Sequence, residues 1–317
     1  MSMASAPRWR HARGTLALAR AGVMAIVNLT PDSFSDGGRW HEPSGALALE
    51  RIAASCRAWV EQGALVLDLG GESTRPGAAP LDPNDELARV LPVLERLLAD
   101  PALCEVPISI DTRHAAVARV ALAQGAAIIN DVSGLADPDM AAVVAAGRAG
   151  LVIGHMRGEP ATMQDTIAFD DLLGEIVEEL SLSLARARAA GVARESILVD
   201  PCVGFGKTAT QSAALVAAAS LLERELGVPV LIGASRKRFL SQWTREAASG
   251  QLDAAARTNA SVAAALVAVA HGAALVRVHD VEPTLEALRV WSGIAEAYEQ
   301  ARAVALGLLG AARSEPA

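Results

Sequence analysis

Polar side chains occur repeatedly in this sequence directly after short runs of apolar residues. The first is Asn28, which follows Val23–Val27 and opens a stretch rich in Thr, Pro, Asp, Ser and Gly. Asp111, Asn130 and Asp200 come at the ends of later runs. Carboxylate and amide oxygens at the edge of a core accept hydrogen bonds. Together they suit a small ligand rich in N–H donors, such as an aminopyrimidine ring.

A single acidic or amide residue at the end of a strand has a common alternative use. Its side chain can cap the next helix by accepting hydrogen bonds from the first backbone N–H groups. Asp111 and Asn130, taken one at a time, fit that role as well as they fit a ligand site. They point to a ligand if the fold brings both into one mouth with Asp200.

The segment Gly70–Gly77 has the composition of an anion-binding loop, Gly-Gly-Glu-Ser-Thr-Arg-Pro-Gly. Paired glycines let backbone N–H groups approach an anion, and Thr74 and Arg75 add side-chain donors. An ordinary flexible loop is the alternative. The connection continues to about Asn84, which is long for a loop between a strand and a helix and favours a lid.

Basic residues follow or lie in the last two apolar runs. Ser235 and Lys237 belong to Gly-Ala-Ser-Arg-Lys-Arg, while Arg277 and His279 alternate and so leave their strand on the same face. Lys207 and Lys237 are the only lysines among 28 basic residues, which indicates positions that arginine cannot fill. Arg277 needs an anionic partner within its apolar run, either a ligand or one of the aspartates.

The segment 200–208 ends in Gly-Lys-Thr, as does the phosphate-binding loop of nucleotide triphosphatases. The residue five positions before Gly206 is Pro201, where that motif requires glycine. The spacing therefore argues against this class of enzyme.

Eight short apolar runs have the character of strands buried on both faces. They are Val23–Val27, Leu65–Leu69, Val106–Ile110, Ala127–Ile129, Leu151–Ile153, Ile197–Val199, Val230–Ile232 and Leu275–Val278. Helical patterns lie between them, for example Ser44–Gln62, Asn84–Ala99, Ala115–Gln124, Asp171–Ala190 and Thr258–His271. All eight runs end in polar groups, whereas an open doubly wound sheet concentrates such groups at a few strand ends. The predicted fold is α/β, a single (β/α)8 TIM barrel with its site at the carboxyl ends of the strands.

Composition bounds the remaining possibilities. The chain has 317 residues, 52% of them apolar, with no run long enough to span a bilayer, so we expect no membrane association. The net charge of −8 argues against nucleic acid as a partner. Cys56, Cys104 and Cys202 are scattered, without a C-x-x-C pair, which indicates a reducing cytoplasm. We expect an N-terminal arm over 1–14, a catalytic barrel over 15–305 and a C-terminal tail over 306–317.

The sequence resembles the bacterial dihydropteroate synthases from about Thr15 to Ala297. The resemblance rests on eight motifs in order: NLTPDSFSDGG, GGESTRPG, SIDT, IND, HMRGEPATMQ, DPCVGFGKT, GASRK and RVHDV. It implies a transferase of folate biosynthesis that joins 6-hydroxymethyl-7,8-dihydropterin diphosphate to 4-aminobenzoate, releasing diphosphate and forming 7,8-dihydropteroate. It also implies Mg²⁺ as cofactor, a homodimer and a target of sulfonamides.

The family's functional residues fall on matching positions of this sequence. The resemblance implies catalytic roles for Asp111, Lys237, Arg277 and His279. It implies a pterin site formed by Asp111, Asn130, Met156, Asp200, Gly233, Lys237 and Arg277. It implies a diphosphate site formed by Asn28, Thr74, Arg75, Arg277 and His279, with Asn28 also binding Mg²⁺. For 4-aminobenzoate it implies Phe34, Pro76, Phe205 and Ser235.

The sequence departs from the family pattern at Ala25 and Cys202, where the family has glycine. Cys202 adds a side chain beside the expected pterin floor and so bears on substrate fit. Two other interpretations stay open. One is a pterin-binding barrel of the methyltransferase type, and the other is a weakly active paralogue that serves as a binding module. The Gly70–Gly77 loop and Ser235–Lys237 favour the synthase, because methyl transfer needs neither.

Overall fold

Eight parallel strands form the centre of the protein. The structure is a computed structural model that describes residues 7–18, 22–30, 40–75, 77–244 and 257–305. A hairpin of β1 (Arg8–His11) and β2 (Gly14–Ala17) comes first. The parallel strands are β3 (Gly22–Asn28), β4 (Val66–Gly70), β5 (Ile108–Asp111), β6 (Ile128–Asp131), β7 (Gly150–Gly154), β8 (Ile197–Asp200), β9 (Leu231–Ile232) and β10 (Leu275–Val278).

The sheet closes on itself as a barrel. Strands β3 to β8 pair in sequence order, and β10 pairs with both β3 and β9. A parallel bridge between Val199 and Val230 joins the two ends of this order. The predicted TIM barrel is therefore confirmed, with each of the eight predicted runs placed on a strand or within two residues of it.

Helices cover the outside of the barrel. They are α1 (Leu49–Gln62), α2 (Pro83–Leu98), α3 (Ala115–Ala123), α4 (Met140–Ala146), α5 (Leu172–Ala189), α6 (Ala209–Val216), α7 (Ala219–Leu226), α8 (Thr258–Ala270) and α9 (Val281–Ala305). Local chemistry fixes several starts: Asp82 caps α2 ahead of a proline, and Thr208 with Gln211 forms a capping box on α6. No helix within the described ranges is long and apolar enough to cross a membrane.

One predicted helix start is wrong. We expected α1 to begin at Ser44, but it begins at Leu49. Gly45 has a φ of +86°, a left-handed conformation that a right-handed helix cannot contain. His41 and Leu47 form a bridge around this turn instead.

The barrel interior is built in layers that follow the two-residue period of the strands. Its amino-terminal layer is apolar and consists of Met24, Val66, Ile128, Val152, Leu198, Leu231 and Leu275. Trp9 of the hairpin is fully buried against this layer, and its Nε1 donates to the backbone oxygen of Ser196 at 3.0 Å. The described part of the N-terminal arm thus closes the lower end of the barrel.

The next layer, toward the carboxyl ends of the strands, contains polar and charged residues. Two positions after the apolar layer, the same strands carry Ile26, Asp68, Asn130, Gly154, Asp200, Gly233 and Arg277. The register between β5 and β6 places Asp111 directly beside Asn130, and that between β3 and β4 places Asn28 beside Gly70. The sequence periodicity of a buried strand therefore brings these polar groups to the same end of the barrel, the mouth formed by the carboxyl ends of the strands.

Candidate active site

Arg277 lies at the centre of the polar layer. Its Nε donates to Asp68 Oδ2 at 2.6 Å, and its Nη2 donates to Asp111 Oδ2, also at 2.6 Å. Asn130 Nδ2 donates to the same oxygen of Asp68 at 3.3 Å. Arg277 thus has the aspartate partners that the sequence left as one of two possibilities. One guanidinium stands between two carboxylates, so the cluster keeps an excess of acceptors.

The unused acceptors are the most informative feature of this cluster. Among the described residues, Asp68 Oδ1, Asp111 Oδ1 and Asn130 Oδ1 are buried and accept no hydrogen bond. Buried polar atoms are nearly always paired in folded proteins, so three orphaned oxygens around one guanidinium indicate a place for a donor-rich ligand. Asp111 and Asn130 do not cap helices here: His114 precedes α3, and Asp139 precedes α4.

Asp68 is a site residue that the sequence reasoning did not select. It sits inside an apolar run, is fully buried and binds both Arg277 and Asn130. The signal was present, because Val66 faces the barrel interior and the period of two then turns Asp68 inward as well.

Burial sets the protonation of these groups. It raises the pKa of Asp111 to about 7, with Asp68 acting in the same direction and Arg277 opposing it. Burial also raises the pKa of Asp200, against the attraction of Lys237 and Arg277. It lowers the pKa of Lys237 to about 8. Burial thus disfavours the charged form of each group, and a ligand of complementary charge interacts strongly with these groups in the low-dielectric site.

The floor of the site lies on the side of Asp200 and Lys237. The Lys237 ammonium is 3.6 Å from the centre of the Phe205 ring, a cation–π contact. A Cβ at Gly233 would lie in van der Waals contact with the Asp200 carboxylate and the Arg277 Cβ, 3.7 Å from each, so the glycine keeps the floor beside them free of a side chain. Met156 packs at the edge of an apolar group formed by Val132, Met163, Cys202 and Phe205.

Several cationic side chains act on His279 at the mouth. Ser235 Oγ accepts from the backbone N–H of His279 at 3.1 Å and lies 3.2 Å from its Nδ1. Burial lowers the pKa of His279 well below its usual value, and Arg236, Arg277, Arg75 and Lys237 all lower it further. A neutral imidazole surrounded by cations marks a place that favours an anion.

Asn28 closes β3 at the same mouth. Its Oδ1 accepts from the backbone N–H of Thr30 at 3.2 Å and from the Thr30 hydroxyl at 2.8 Å, which orients the amide. Mg²⁺ prefers oxygen ligands and commonly takes only one or two from the protein, with substrate phosphates and water supplying the others. The Asn28 oxygen can serve as such a ligand once the Thr30 hydroxyl turns away, because its two lone pairs accept both hydrogen bonds from Thr30 here.

The structure describes two of the four remaining predicted residues. Thr74 and Arg75 are half-buried in the loop after β4, whose Gly77 N–H donates to the Pro160 backbone oxygen at 3.0 Å. This contact joins the loops that follow β4 and β7. Phe34 and Pro76, expected to line the aminobenzoate pocket, lie outside the described residues.

A second group of potential metal ligands lies behind the β4 loop. One ligand atom each from Glu72, Glu86 and His114 falls within 4.8 Å of the others. Glu72 already receives both Nε and Nη2 of Arg113, at 3.0 and 3.1 Å. Burial raises the pKa of Glu86 to about 8, so that carboxyl holds its proton at neutral pH. Arg113 therefore supplies the positive charge of this group, which anchors the loop.

Comparisons with known proteins agree with this geometry. Residues 24–279 match the family of pterin binding enzymes. The dihydropteroate synthase of Neisseria meningitidis serogroup C is 42% identical over 288 residues, or 90% of this chain and 97% of that relative. The Xanthomonas albilineans dihydropteroate synthase with 4-aminobenzoic acid has a TM-score of 0.79 and 42% identity, covering 92% of this chain and 98% of that one. The Burkholderia cenocepacia enzyme complexed with 7,8-dihydropteroate has a TM-score of 0.79 and 38% identity, covering 93% and 99%. The chain therefore belongs to the pterin binding enzyme family, and within it to the dihydropteroate synthases.

Proposed function

We propose that this chain condenses 6-hydroxymethyl-7,8-dihydropterin diphosphate with 4-aminobenzoate, giving 7,8-dihydropteroate and diphosphate. The observation that carries the proposal is the set of orphaned oxygens of Asp68, Asp111 and Asn130 around Arg277. The amino group and ring N–H groups of a pterin supply the donors that these oxygens lack. The relatives solved with 4-aminobenzoic acid and 7,8-dihydropteroate support the same pair of ligands.

The pterin ring would bind between the aspartates and the Lys237 side. Asp111, Asn130 and Asp200 accept from its aminopyrimidinone edge, and the Lys237 ammonium donates to its carbonyl oxygen or ring nitrogen. Arg277, already held by two carboxylates, offers the flat face of its guanidinium to the ring. Gly233 and Met156 then form the floor.

The diphosphate would lie on the cationic side, near Arg75, His279 and Arg277, with Thr74 donating from the β4 loop. Asn28 would be the protein ligand of Mg²⁺, and the ion would supply positive charge near the leaving oxygen. The neutral His279 donates a hydrogen bond without adding a competing charge of its own. Ser235 would hold the aminobenzoate carboxylate, beside the ring of Phe205.

The reaction needs no covalent enzyme intermediate. The bond between the pterin methylene carbon and the diphosphate oxygen breaks, and positive charge develops on the methylene carbon and the pterin ring. The buried carboxylates of Asp111 and Asp200 stabilise that charge because they are fixed before the reaction begins. The amine nitrogen of aminobenzoate then forms the new bond and loses a proton to solvent or diphosphate.

A stripe of exposed apolar residues supports a homodimer. Val290, Ile294 and Tyr298 recur every four residues on α9 and are 59%, 66% and 64% exposed, and Val267 on the adjacent α8 is 44% exposed. Apolar residues spaced four apart lie on one face of a helix, and an exposed apolar face is typical of an interface. Ile294→Asp should convert a dimer to a monomer in analytical ultracentrifugation, and a monomeric parent chain at micromolar concentration would refute the dimer.

We also place the enzyme in the cytoplasm. Its three cysteines, all within the described ranges, form no disulfide, and Cys56 and Cys202 are buried, as expected in a reducing compartment.

The function is tested by measuring diphosphate release from the pterin diphosphate with and without 4-aminobenzoate. A synthase releases diphosphate rapidly only when the arylamine is present. A methyltransferase-type barrel would release none under either condition, and a binding module would bind both compounds without turnover.

A further inference from the structure

Lys207 is a charged side chain that the fold buries away from the strand-end cluster. It is 4% exposed and lies in the loop between β8 and α6. Its ammonium donates to the backbone oxygens of Phe205 at 2.9 Å and His155 at 3.1 Å, and it lies 3.0 Å from His155 Nδ1. These contacts use all three N–H donors of the ammonium.

The contact with Lys207 fixes the state of His155. An ammonium can only donate, so Nδ1 accepts and the imidazole proton sits on Nε2, 3.0 Å from Glu179 Oε2. Arg157 Nε donates to the other Glu179 oxygen at 2.9 Å. Burial lowers the pKa of His155 to about 4 and that of Lys207 to about 8, so the imidazole is neutral and the ammonium charged at neutral pH. This chain of bonds ties the loops after β7 and β8 to α5.

The loop that Lys207 holds has an unusual backbone. Cys202, Gly204 and Gly206 have φ values of +49°, +83° and +58°, three left-handed residues within five positions. Glycine accepts that conformation, but Cys202 is strained in it and depends on its surroundings. The Cys202 N–H donates to Asp200 Oδ1 at 2.7 Å, and the Lys207 ammonium donates to the Phe205 backbone oxygen. These two hydrogen bonds stabilise the segment between them.

The same loop determines where the Phe205 ring lies. The ring is 9% exposed and sits against the Lys237 ammonium, 3.6 Å from its centre. The two lysines of the chain are thus linked through one residue. Lys207 donates a hydrogen bond to the backbone oxygen of Phe205, and the Lys237 ammonium contacts its ring.

We propose that Lys207 is a positioning residue that fixes Phe205, and through its ring Lys237, so that the Phe205 wall of the aminobenzoate pocket is in place before the β4 loop closes over it. This inference rests on the proposed function for the identity of the ligand. It explains why the position requires lysine: three acceptors surround one nitrogen, and the planar fork of arginine cannot meet them. Lys207 itself touches neither substrate.

Steady-state kinetics separate positioning from general stability. Lys207→Met should raise the KM for 4-aminobenzoate roughly 10-fold or more, with a smaller change in kcat, because buried hydrogen bonds to a charge are lost and the pocket loosens. Lys207→Arg should not restore the KM. The matched control is Thr208→Ala, which removes the capping box of α6 from the next residue and should lower the melting temperature without changing that KM. A Lys207→Met KM within about twofold of the parent would overturn the proposal.

A second measurement does not depend on catalysis. Because the chain has only two lysines, protein labelled with [13Cε]lysine gives two side-chain resonances. The Lys237 resonance should show an upfield ring-current shift from Phe205, which Phe205→Leu abolishes and thereby assigns. Lys207→Met should reduce the shift as well, and an unchanged shift would refute the linkage even if the enzyme proves inactive.

A variant at Glu179, at the other end of this chain of hydrogen bonds, tests the proposal if Lys207→Met does not fold. Glu179 is on α5 with 38% of its side chain exposed, so Glu179→Ala should fold. It removes the acceptor of His155 Nε2 and should weaken the ring-current shift in the same direction. If Glu179→Ala changes neither the ring-current shift of Lys237 nor the KM for 4-aminobenzoate, the proposal is wrong.

Discussion

The substitution Asp111→Asn tests the polar cluster most sharply, because it removes one charge and changes the shape of the side chain little. Asp111 Oδ2 accepts from Arg277 at 2.6 Å, while Oδ1 accepts nothing from the described residues. Asparagine can replace only one of these acceptors. If its oxygen faces Arg277, its NH₂ group points at the N–H donors of the pterin, and donor then opposes donor.

The expected loss follows from that geometry. Removing one preorganised group that faces developing charge lowers kcat by roughly 10²-fold to 10³-fold. The pH dependence gives a second signature. Burial raises the pKa of Asp111 from 3.8 to about 7, so kcat/KM of the parent enzyme should rise as pH passes through about 7 and the carboxylate forms. The Asp111→Asn variant has no such group, and its acidic limb should disappear.

The same shift predicts a change in stability with a definite sign. A carboxyl whose pKa is raised by folding contributes stability at low pH that is lost as the pH rises through the folded value. As the pH is raised from 5 to 8, the melting temperature of the parent should therefore fall relative to that of Asp111→Asn. Kinetics across this pH range and thermal unfolding test the two effects separately. Activity within a few-fold of the parent, with the acidic limb intact, would remove Asp111 from the site.

Three further predictions address the other sides of the mouth. Lys237→Ala should lower kcat/KM by roughly 10²-fold or more, because it removes the second preorganised charge, and near-parent activity in a folded variant would contradict this. Cys202→Gly should keep or raise turnover, because glycine relieves the +49° φ and burial raises the thiol pKa, leaving an unreactive side chain. Loss of turnover, or rapid inactivation of the parent by a thiol reagent with protection by pterin alone, would count against it. In calorimetry, 4-aminobenzoate should bind weakly to the free enzyme and tightly with Mg²⁺ and diphosphate present, because Thr74 and Arg75 close on the anion; equal affinities would indicate a preformed pocket.

Much of the barrel could be predicted because buried parallel strands leave a strong local signal. Each strand is a short apolar run with polar residues at its end or in the loop that follows, and eight such runs leave few alternatives to a closed sheet. The position of the site followed from the fold, since parallel strands bring their carboxyl ends together. Asp111, Asn130, Asp200 and Arg277 were selected as candidates in this way.

Contacts between distant segments could not be predicted. The strand period could have turned Asp68 inward, but its contact with Arg277 joins residues 209 positions apart in sequence and leaves no local signal. The role of Lys207 depends on His155 and Phe205, which lie on two separate loops. The predicted start of α1 at Ser44 was wrong for a local reason, because Gly45 adopts a left-handed conformation that ends any helical pattern there.

The central claim is that this mouth joins a pterin to an arylamine with loss of diphosphate. It is tested most directly by incubating the purified enzyme with the pterin diphosphate, 4-aminobenzoate and Mg²⁺, and by quantifying both products in one reaction. We predict 7,8-dihydropteroate by mass spectrometry in equal amounts with diphosphate, and neither product at a comparable rate from Asp111→Asn. Diphosphate released without dihydropteroate, or no product from a folded enzyme that binds both substrates, would contradict the account.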